Sequence, residues 1–219
     1  MEPGNRMDLT SATTIRVVSW DVDGTLYSVQ RMRWQLLFLL IRRMTPTRGL
    51  RSIRELMALR QFRMLMERAR TSDKAHPAAV EQGHRKSLLE MEHHWYGRAI
   101  QRIGPRPGVV DLLAFLAAQG LTQVILSDYA SDYKLESLGL QDRFQSVYSG
   151  ESLGFIKPSP RGLQRIADDF EITPAHLLHI GDRAETDGVA AQAAGCPSLI
   201  LGRDFRDFHF LTRQFRSGL

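Results

Sequence analysis

Short apolar runs alternate with amphipathic stretches along most of the chain. Residues 15–20 (Ile-Arg-Val-Val-Ser-Trp) form the first run, and similar runs fall at 123–126, 146–149, 177–180 and 198–201. Their length and β-branched content predict strands. Between them, residues 109–118, 131–138, 159–170 and 186–194 carry helical patterns. Gly120, Gly139 and Gly195 stand where helix C-caps are expected, and Ser159-Pro160 supplies an N-cap followed by the proline favoured at the first helical position. Thr173-Pro174 repeats that signal. Strands that alternate with helices predict an α/β fold, with a doubly wound parallel five-stranded sheet. In such sheets ligands bind at the carboxyl ends of the strands.

Residues 27–105 interrupt the alternation. Residues 31–44 and 49–70 are rich in Leu, Met and Arg, all good helix formers. Leu56, Leu59, Phe62, Met66 and Ala69 recur at helical spacing and predict a packed face. Residues 77–103 read as a further helix, weakened near Gly83 and Gly97, and Gly104-Pro105-Arg106-Pro107-Gly108 is the return linker. The expected organisation is a core of residues 1–26 and 106–219 with an all-helical unit, 27–105, inserted into it. Charge follows the same division. The whole chain carries +5, but residues 27–105 hold 16 Lys+Arg against 6 Asp+Glu, so the insertion is net +10 and the remainder net −5.

Composition adds limits. With 219 residues, 43% of them hydrophobic, the chain can bury one sizeable core and a small second unit. Residues 1–14 lack the apolar segment of a signal peptide. The longest apolar stretch, Trp34 to Ile41, contains Gln35 and stops at Arg42-Arg43. A spanning helix needs ~20 apolar residues, so no membrane span and a cytoplasmic location are expected. The one cysteine, Cys196, excludes an intramolecular disulfide. The Leu36 to Ile41 segment can pack within the insertion or against a second subunit, which makes a homodimer a candidate. The basic insertion can steer an anionic substrate, touch an anionic membrane surface or simply face solvent. No nucleic acid partner is expected: no binding motif occurs, and the arginines lack the interleaved exposed aromatics of single-strand binders. His93-His94, with His84 nearby, has no cysteine partner and reads as structural or surface-exposed.

The chemistry-bearing residues sit at the strand ends. Asp21 and Asp23, in Asp21-Val22-Asp23-Gly24-Thr25-Leu26, are two apart and can enter one cleft. Gly24 permits a sharp turn, and Thr25 can bond back to a carboxylate. Two carboxylates this close repel, and a divalent cation keeps both ionised. His179-Ile180-Gly181-Asp182 ends a later run, and Asp187 follows five residues after Asp182. Hard oxygen ligands of this kind suit Mg²⁺. Ser127 follows another apolar run and can donate to a phosphoryl oxygen, while Lys157 precedes Pro158.

Together Asp21-Val22-Asp23-Gly24-Thr25, Ser127, Lys157 and Gly181-Asp182 through Asp187 resemble the four motifs of the haloacid dehalogenase superfamily, in its phosphatase branch. The resemblance covers roughly residues 15–26 and 106–202. It implies a Rossmann-like core, and the insertion resembles the family's helical cap of the first type. Dehalogenases proper lack the second aspartate, so Asp23 points away from carbon–halogen hydrolysis. The resemblance implies that Asp21 attacks phosphorus and that Asp23 acts as acid and base. It also implies that Lys157 and Ser127 offset phosphoryl charge. Mg²⁺ would be held by Asp21, Asp182, the carbonyl of Asp23, and Asp187 directly or through water. Thr25, Asp128, Arg31 and Arg33 are assigned to a small phosphorylated substrate; Asp128 stands where the family frequently has Asn. A phosphoryl-transferring mutase of the β-phosphoglucomutase type and a non-catalytic phospho-ligand binder are the alternative readings.

Overall fold

The computed structural model describes residues 15–42, 49–69 and 88–217. Five strands form one sheet: β1 (Val17–Trp20), β2 (Thr122–Ser127), β3 (Ser146–Ser149), β4 (Leu177–Gly181) and β5 (Ser198–Ile200). All neighbours pair in parallel, in the order β3-β2-β1-β4-β5. The central β1 is buried along its whole length. Trp20 is in register with Ile125 on one side and Ile180 on the other. Asp21, Ser127 and Asp182 therefore leave the sheet at the same edge. The topology reverses at β1, which lies between β2 and β4, and this is the switch point where α/β sheets bind ligands.

Alternation along the strands sends side chains into two separate cores. Val18, Trp20, Ile125, Leu178 and Ile180 join one cluster, while Val17, Val124, Leu126 and Leu177 join the other. Helices cover both faces, as expected of a doubly wound sheet. α1 (Val29–Arg42), α2 (Gly49–Ala69) and α3 (Arg98–Ile103) lie between β1 and β2. They are followed by α4 (Val109–Ala118), α5 (Asp132–Leu138), α6 (Arg161–Asp169), α7 (Val189–Ala194) and α8 (Phe208–Arg216). Val109, Leu112, Leu113 and Leu116 of α4 pack in the first core, and Leu163, Ile166 and Ala167 of α6 in the second. The α8 helix is absent from the sequence expectation because no strand signal follows it. Asp207 caps it, with Oδ1 accepting from the Phe210 N–H at 2.7 Å, and Phe208 and Leu211 anchor it to the first core.

The described residues between β1 and β2 contain no strand other than an isolated bridge between Asp23 and Tyr27. The expected weakening at Gly97 takes the form of a π turn, His93–Gly97, that leads into α3. Gly83, His84 and the rest of 77–87 lie outside the described residues, as do residues 1–14 and the side chains of Phe62, Met66 and Ala69. Among the described residues no helix is long and apolar enough to cross a membrane.

One expectation about the insertion fails. α1 is apolar on both sides. Met32 is buried and Leu36 packs against the core, yet Trp34 is 66% exposed, with Leu37, Phe38 and Ile41 exposed on the same outer face. Arg33 and Arg42 flank that stripe, and the Arg42 guanidinium lies over the Phe38 ring. Exposed aromatics and arginines do interleave here. A helix with apolar residues all round cannot turn every one of them inward.

Candidate active site

The site is built on the turn that follows β1. The Asp21 N–H donates to the Ile180 carbonyl at 2.9 Å, which extends the β1–β4 pairing by one residue and fixes the backbone of Asp21. Thr25, fully buried, donates from Oγ1 to Asp21 Oδ2 at 3.0 Å. Gly24 makes this turn with φ of +103°, a region that side chains avoid. A Cβ at Gly24 would fall 2.0 Å from Asp182 Oδ2, so the missing side chain is also the room that Asp182 occupies. Arg106, from the return linker, donates from Nε to the Gly24 carbonyl at 2.8 Å and so ties the turn to the far end of the insertion.

Asp182 and Asp187 come to the same place from the end of β4. Asp187 Oδ2 accepts from the Arg183 N–H at 3.0 Å and from the Asp182 N–H at 3.3 Å, so the backbone winds round its carboxylate. Gly181 allows this, because a Cβ there would lie 2.4 Å from the Asp187 carboxyl carbon. His179, fully buried, bonds Ser19 through Nδ1 at 3.1 Å and Asp187 through Nε2 at 3.3 Å. Burial pushes the imidazole below its usual pKa, which keeps it neutral and able to orient Asp187. Carboxylate oxygens of Asp21, Asp182 and Asp187 all lie within 4.8 Å of one another. Lys157, also buried, joins two of them. Its Nζ donates to Asp21 Oδ1 and to Asp187 Oδ1, each at 2.6 Å, and to the Leu126 carbonyl at 3.2 Å.

Charge balance shows what this donor set suits. Burial pushes Asp21 up to about 8, Lys157 pulls against that, and Asp187 and Asp182 add to the rise. Burial, again helped by Asp187, lifts Asp182 to about 6. Burial also opposes the charge on Lys157, but Asp187 and Asp21 outweigh it and hold the ammonium well above its usual range. Asp187, held by Lys157 and His179 against its own burial, sits well below the usual carboxylate range. Three carboxylates thus share one ammonium. Asp182 Oδ1 is buried with no hydrogen-bond partner among the described residues. A hard oxygen donor set with one oriented, unpaired oxygen fits a divalent cation of the Mg²⁺ type.

The family model of the haloacid dehalogenase-like hydrolases matches residues 15–195, from the strand before Asp21 to the helix after Asp187. The chain belongs to this family. A phosphoglycolate phosphatase from Thiobacillus denitrificans is 33% identical over 115 residues, which are 51% of this chain and 50% of that protein. The chain spans about half the length of the curated relatives it matches. Two solved structures share the fold. A 2-haloacid dehalogenase from Pseudomonas syringae superposes with a TM-score of 0.63 at 18% identity, over 92% of this chain and 97% of that one. A magnesium-bound HAD-hydrolase from Bacillus subtilis gives 0.62 at 20% identity, over 91% and 98%.

A cavity of about 920 Å³ opens above these carboxylates, between the haloacid dehalogenase-like core and helices α1 and α2. Asp21, Asp23, Asp128, Lys157, Asp182 and Asp187 line its floor, and Arg33 reaches its wall from α1. Arg31 is exposed and is not part of the lining. Thr25 and Ser127 are buried beneath it; Ser127 Oγ accepts from the Tyr129 N–H at 3.4 Å. Asp128 touches the protein rather than open space alone, since its Oδ1 accepts from the Lys157 N–H at 2.9 Å. Its amide isostere keeps that acceptor. Asp128→Asn is expected to stay within a few-fold of the parent kcat/KM. Asp128→Ala leaves a buried N–H unpaired at a cost of about 1–3 kcal/mol, or roughly 5- to 150-fold where it falls on kcat/KM. Steady-state kinetics on the two variants checks this.

Several cavity or site residues are missing from the sequence expectation, among them Arg60, Arg106 and Lys134. Arg60 reaches the cavity wall from α2. Arg106 holds the Gly24 turn. Lys134, on α5, is completely buried and donates to Asp23 Oδ2 at 2.5 Å. Lys134 reads in the sequence as an ordinary polar position on a short helix, and only the packing of α5 against the insertion reveals its partner.

Proposed function

We propose that this chain is a Mg²⁺-dependent phosphomonoesterase for a small phosphorylated metabolite, with Asp21 as the nucleophile. The observation that carries this reading is the cluster of Asp21, Asp182 and Asp187 oxygens within 4.8 Å, bridged by Lys157 on the floor of a cavity. In the proposed reaction an Asp21 oxygen attacks phosphorus and the ester P–O bond breaks. The leaving oxygen takes a proton from Asp23. Asp23 then removes a proton from water, which attacks the aspartyl-phosphate and regenerates Asp21. Lys157, on the cavity floor, is assigned to offset charge on the phosphoryl oxygens, and Ser127, buried beneath that floor, is assigned to donate to one of them. Mg²⁺, held by Asp21, Asp182, the carbonyl of Asp23 and Asp187, would supply further positive charge to that group.

The relatives named as phosphoglycolate phosphatases support a short phosphorylated carboxylic acid as the first substrate to test. Arg33 and Arg60 on the cavity wall suit its second anionic group. Phosphate release from a panel of phosphorylated metabolites that includes phosphoglycolate, with and without Mg²⁺, tests the reading. Phosphoryl transfer between sugars without release would replace it with the mutase reading, and no turnover at all with the binding reading.

Cation binding has its own readout. A site that binds the folded state alone raises stability by about 2.7 kcal/mol at a hundred times Kd. For a domain of this size that is a rise in Tm of roughly 5–10 °C. Mg²⁺ is expected to give such a rise in calorimetry, EDTA to reverse it, and Asp182→Asn to remove it. An unchanged Tm at every Mg²⁺ concentration counts against the cation.

A further inference from the structure

Asp23 is held by a set of groups that the nucleophile and cation cluster does not include. Its Oδ2 accepts from Lys134 Nζ at 2.5 Å, and its Oδ1 accepts from the Tyr27 hydroxyl. Both partners are completely buried, although Asp23 itself lines the cavity. The Lys134 ammonium also lies 5.6 Å from the Tyr129 ring centroid and 5.9 Å from that of Tyr133, close enough for cation–π attraction. A fully buried lysine is rare unless it is paired. Here the ammonium is enclosed by one carboxylate and two aromatic faces, and its position is set by α5, more than a hundred residues from Asp23 in sequence.

We infer that Lys134 and Tyr27 are positioning residues that clamp Asp23 for proton transfer at the leaving oxygen; this rests on the phosphatase reading above. A carboxylate just before the Gly24 turn swings about two side-chain bonds. Pinning both of its oxygens removes that freedom before substrate arrives, and orientation of a reacting group is a large part of catalysis. The two contacts differ in chemistry. An ammonium only donates, so Lys134 holds Oδ2 as an acceptor throughout. A phenol hydroxyl donates or accepts, so Tyr27 can stay bonded to Oδ1 whether or not that oxygen carries the proton. In the first half-reaction the proton moves from Asp23 to the ester oxygen as the P–O bond breaks. In the second a water proton returns to Asp23. Neither Lys134 nor Tyr27 changes covalently.

The test uses leaving groups of graded basicity: p-nitrophenyl phosphate, phenyl phosphate and glycerol 2-phosphate. An aryloxide with a nitro group departs without a proton, and an alkoxide does not. The kcat/KM value reports only steps up to leaving-group release, so it isolates the acid step. Lys134→Met is expected to lower kcat/KM on glycerol 2-phosphate by about 100-fold, within the usual contribution of a general acid, and on p-nitrophenyl phosphate by no more than about 3-fold. Tyr27→Phe moves the same ratio in the same direction and serves as the test should Lys134→Met not fold. Lys134→Arg, which keeps a charged donor, recovers part of the loss. An equal loss on all three esters, or no loss on the alkyl ester, in a folded variant overturns the clamp while leaving Asp21 chemistry standing. A parent enzyme inert on these esters and on the metabolite panel, or an Asp21→Asn variant as active as the parent, overturns both; a parent active on a panel alkyl ester takes that ester in place of glycerol 2-phosphate.

Discussion

Asp21→Asn is expected to lower turnover by about 10⁴-fold or more, the scale seen when a covalent nucleophile is removed, while leaving the fold intact. The two effects separate because of how the carboxylate is held. Lys157 donates to Oδ1 and Thr25 to Oδ2. An asparagine can keep its carbonyl oxygen toward Lys157 and turn its NH₂ toward Thr25, whose hydroxyl accepts as readily as it donates. Burial raises Asp21 to about 8, so its charge is costly to the folded state at neutral pH. The sign follows directly: a carboxyl raised from 3.8 to about 8 in the folded state costs stability as pH rises between those values, and a neutral isostere removes that cost. The Tm of Asp21→Asn should therefore equal or exceed that of the parent. Phosphate release and calorimetry on the same preparation check both halves. Turnover near that of the parent would remove Asp21 from the mechanism, and a lost Tm would make its role structural.

The strand-end carboxylates were readable without coordinates because their geometry is local. Asp21 and Asp23 follow one strand, Asp182 and Asp187 another, and period-two alternation and a glycine turn fix where each emerges. The parallel sheet, its five strands and the helical character of the insertion were legible for the same reason. What was not legible depends on residues far apart in sequence. Asp128 contacts the Lys157 backbone, which only the packing of the β2 and β3 ends brings near. Arg106 reaches back to Gly24 across the whole insertion. Sequence offers Thr25 both to substrate and to a carboxylate, and the buried hydroxyl donates to Asp21. Lys134 gave no signal because a lysine on an amphipathic helix is ordinarily solvated, and burial is a property of the assembled fold. The outer face of α1 escaped too, since an apolar run predicts burial but not which of its faces finds a partner.

Replacing Lys157 is expected to damage both stability and chemistry, and the two losses should respond differently to cation. Lys157→Met deletes an ammonium that sits 2.6 Å from two buried carboxylates and keeps the hydrophobic stem. Breaking a buried pair by removing one partner costs about 3–5 kcal/mol, because the other charge stays behind. In a domain of this size that is a fall in Tm of roughly 6–20 °C. The remaining carboxylates relieve part of this by taking up a proton, and a protonated Asp21 does not attack phosphorus. In the proposed reaction, loss of the ammonium also removes charge that would face the phosphoryl oxygens, an effect worth roughly 10²–10³ in kcat when one such donor is deleted. The two together predict a fall in kcat of at least about 10³-fold. Excess Mg²⁺ places positive charge among the same carboxylates and should restore part of the Tm. It should not restore turnover, because a cation held by Asp21, Asp182 and Asp187 does not reproduce a donor that bridges Asp21 and Asp187 from the β2 side. Lys157→Arg should fail as well: a planar guanidinium is too large for a pocket that closes on a single Nζ. Calorimetry across a Mg²⁺ series, with kcat measured at each point, separates the two losses. Recovery of kcat in parallel with Tm would mean that Lys157 acts only as a counter-charge to the cluster and not on the phosphoryl group.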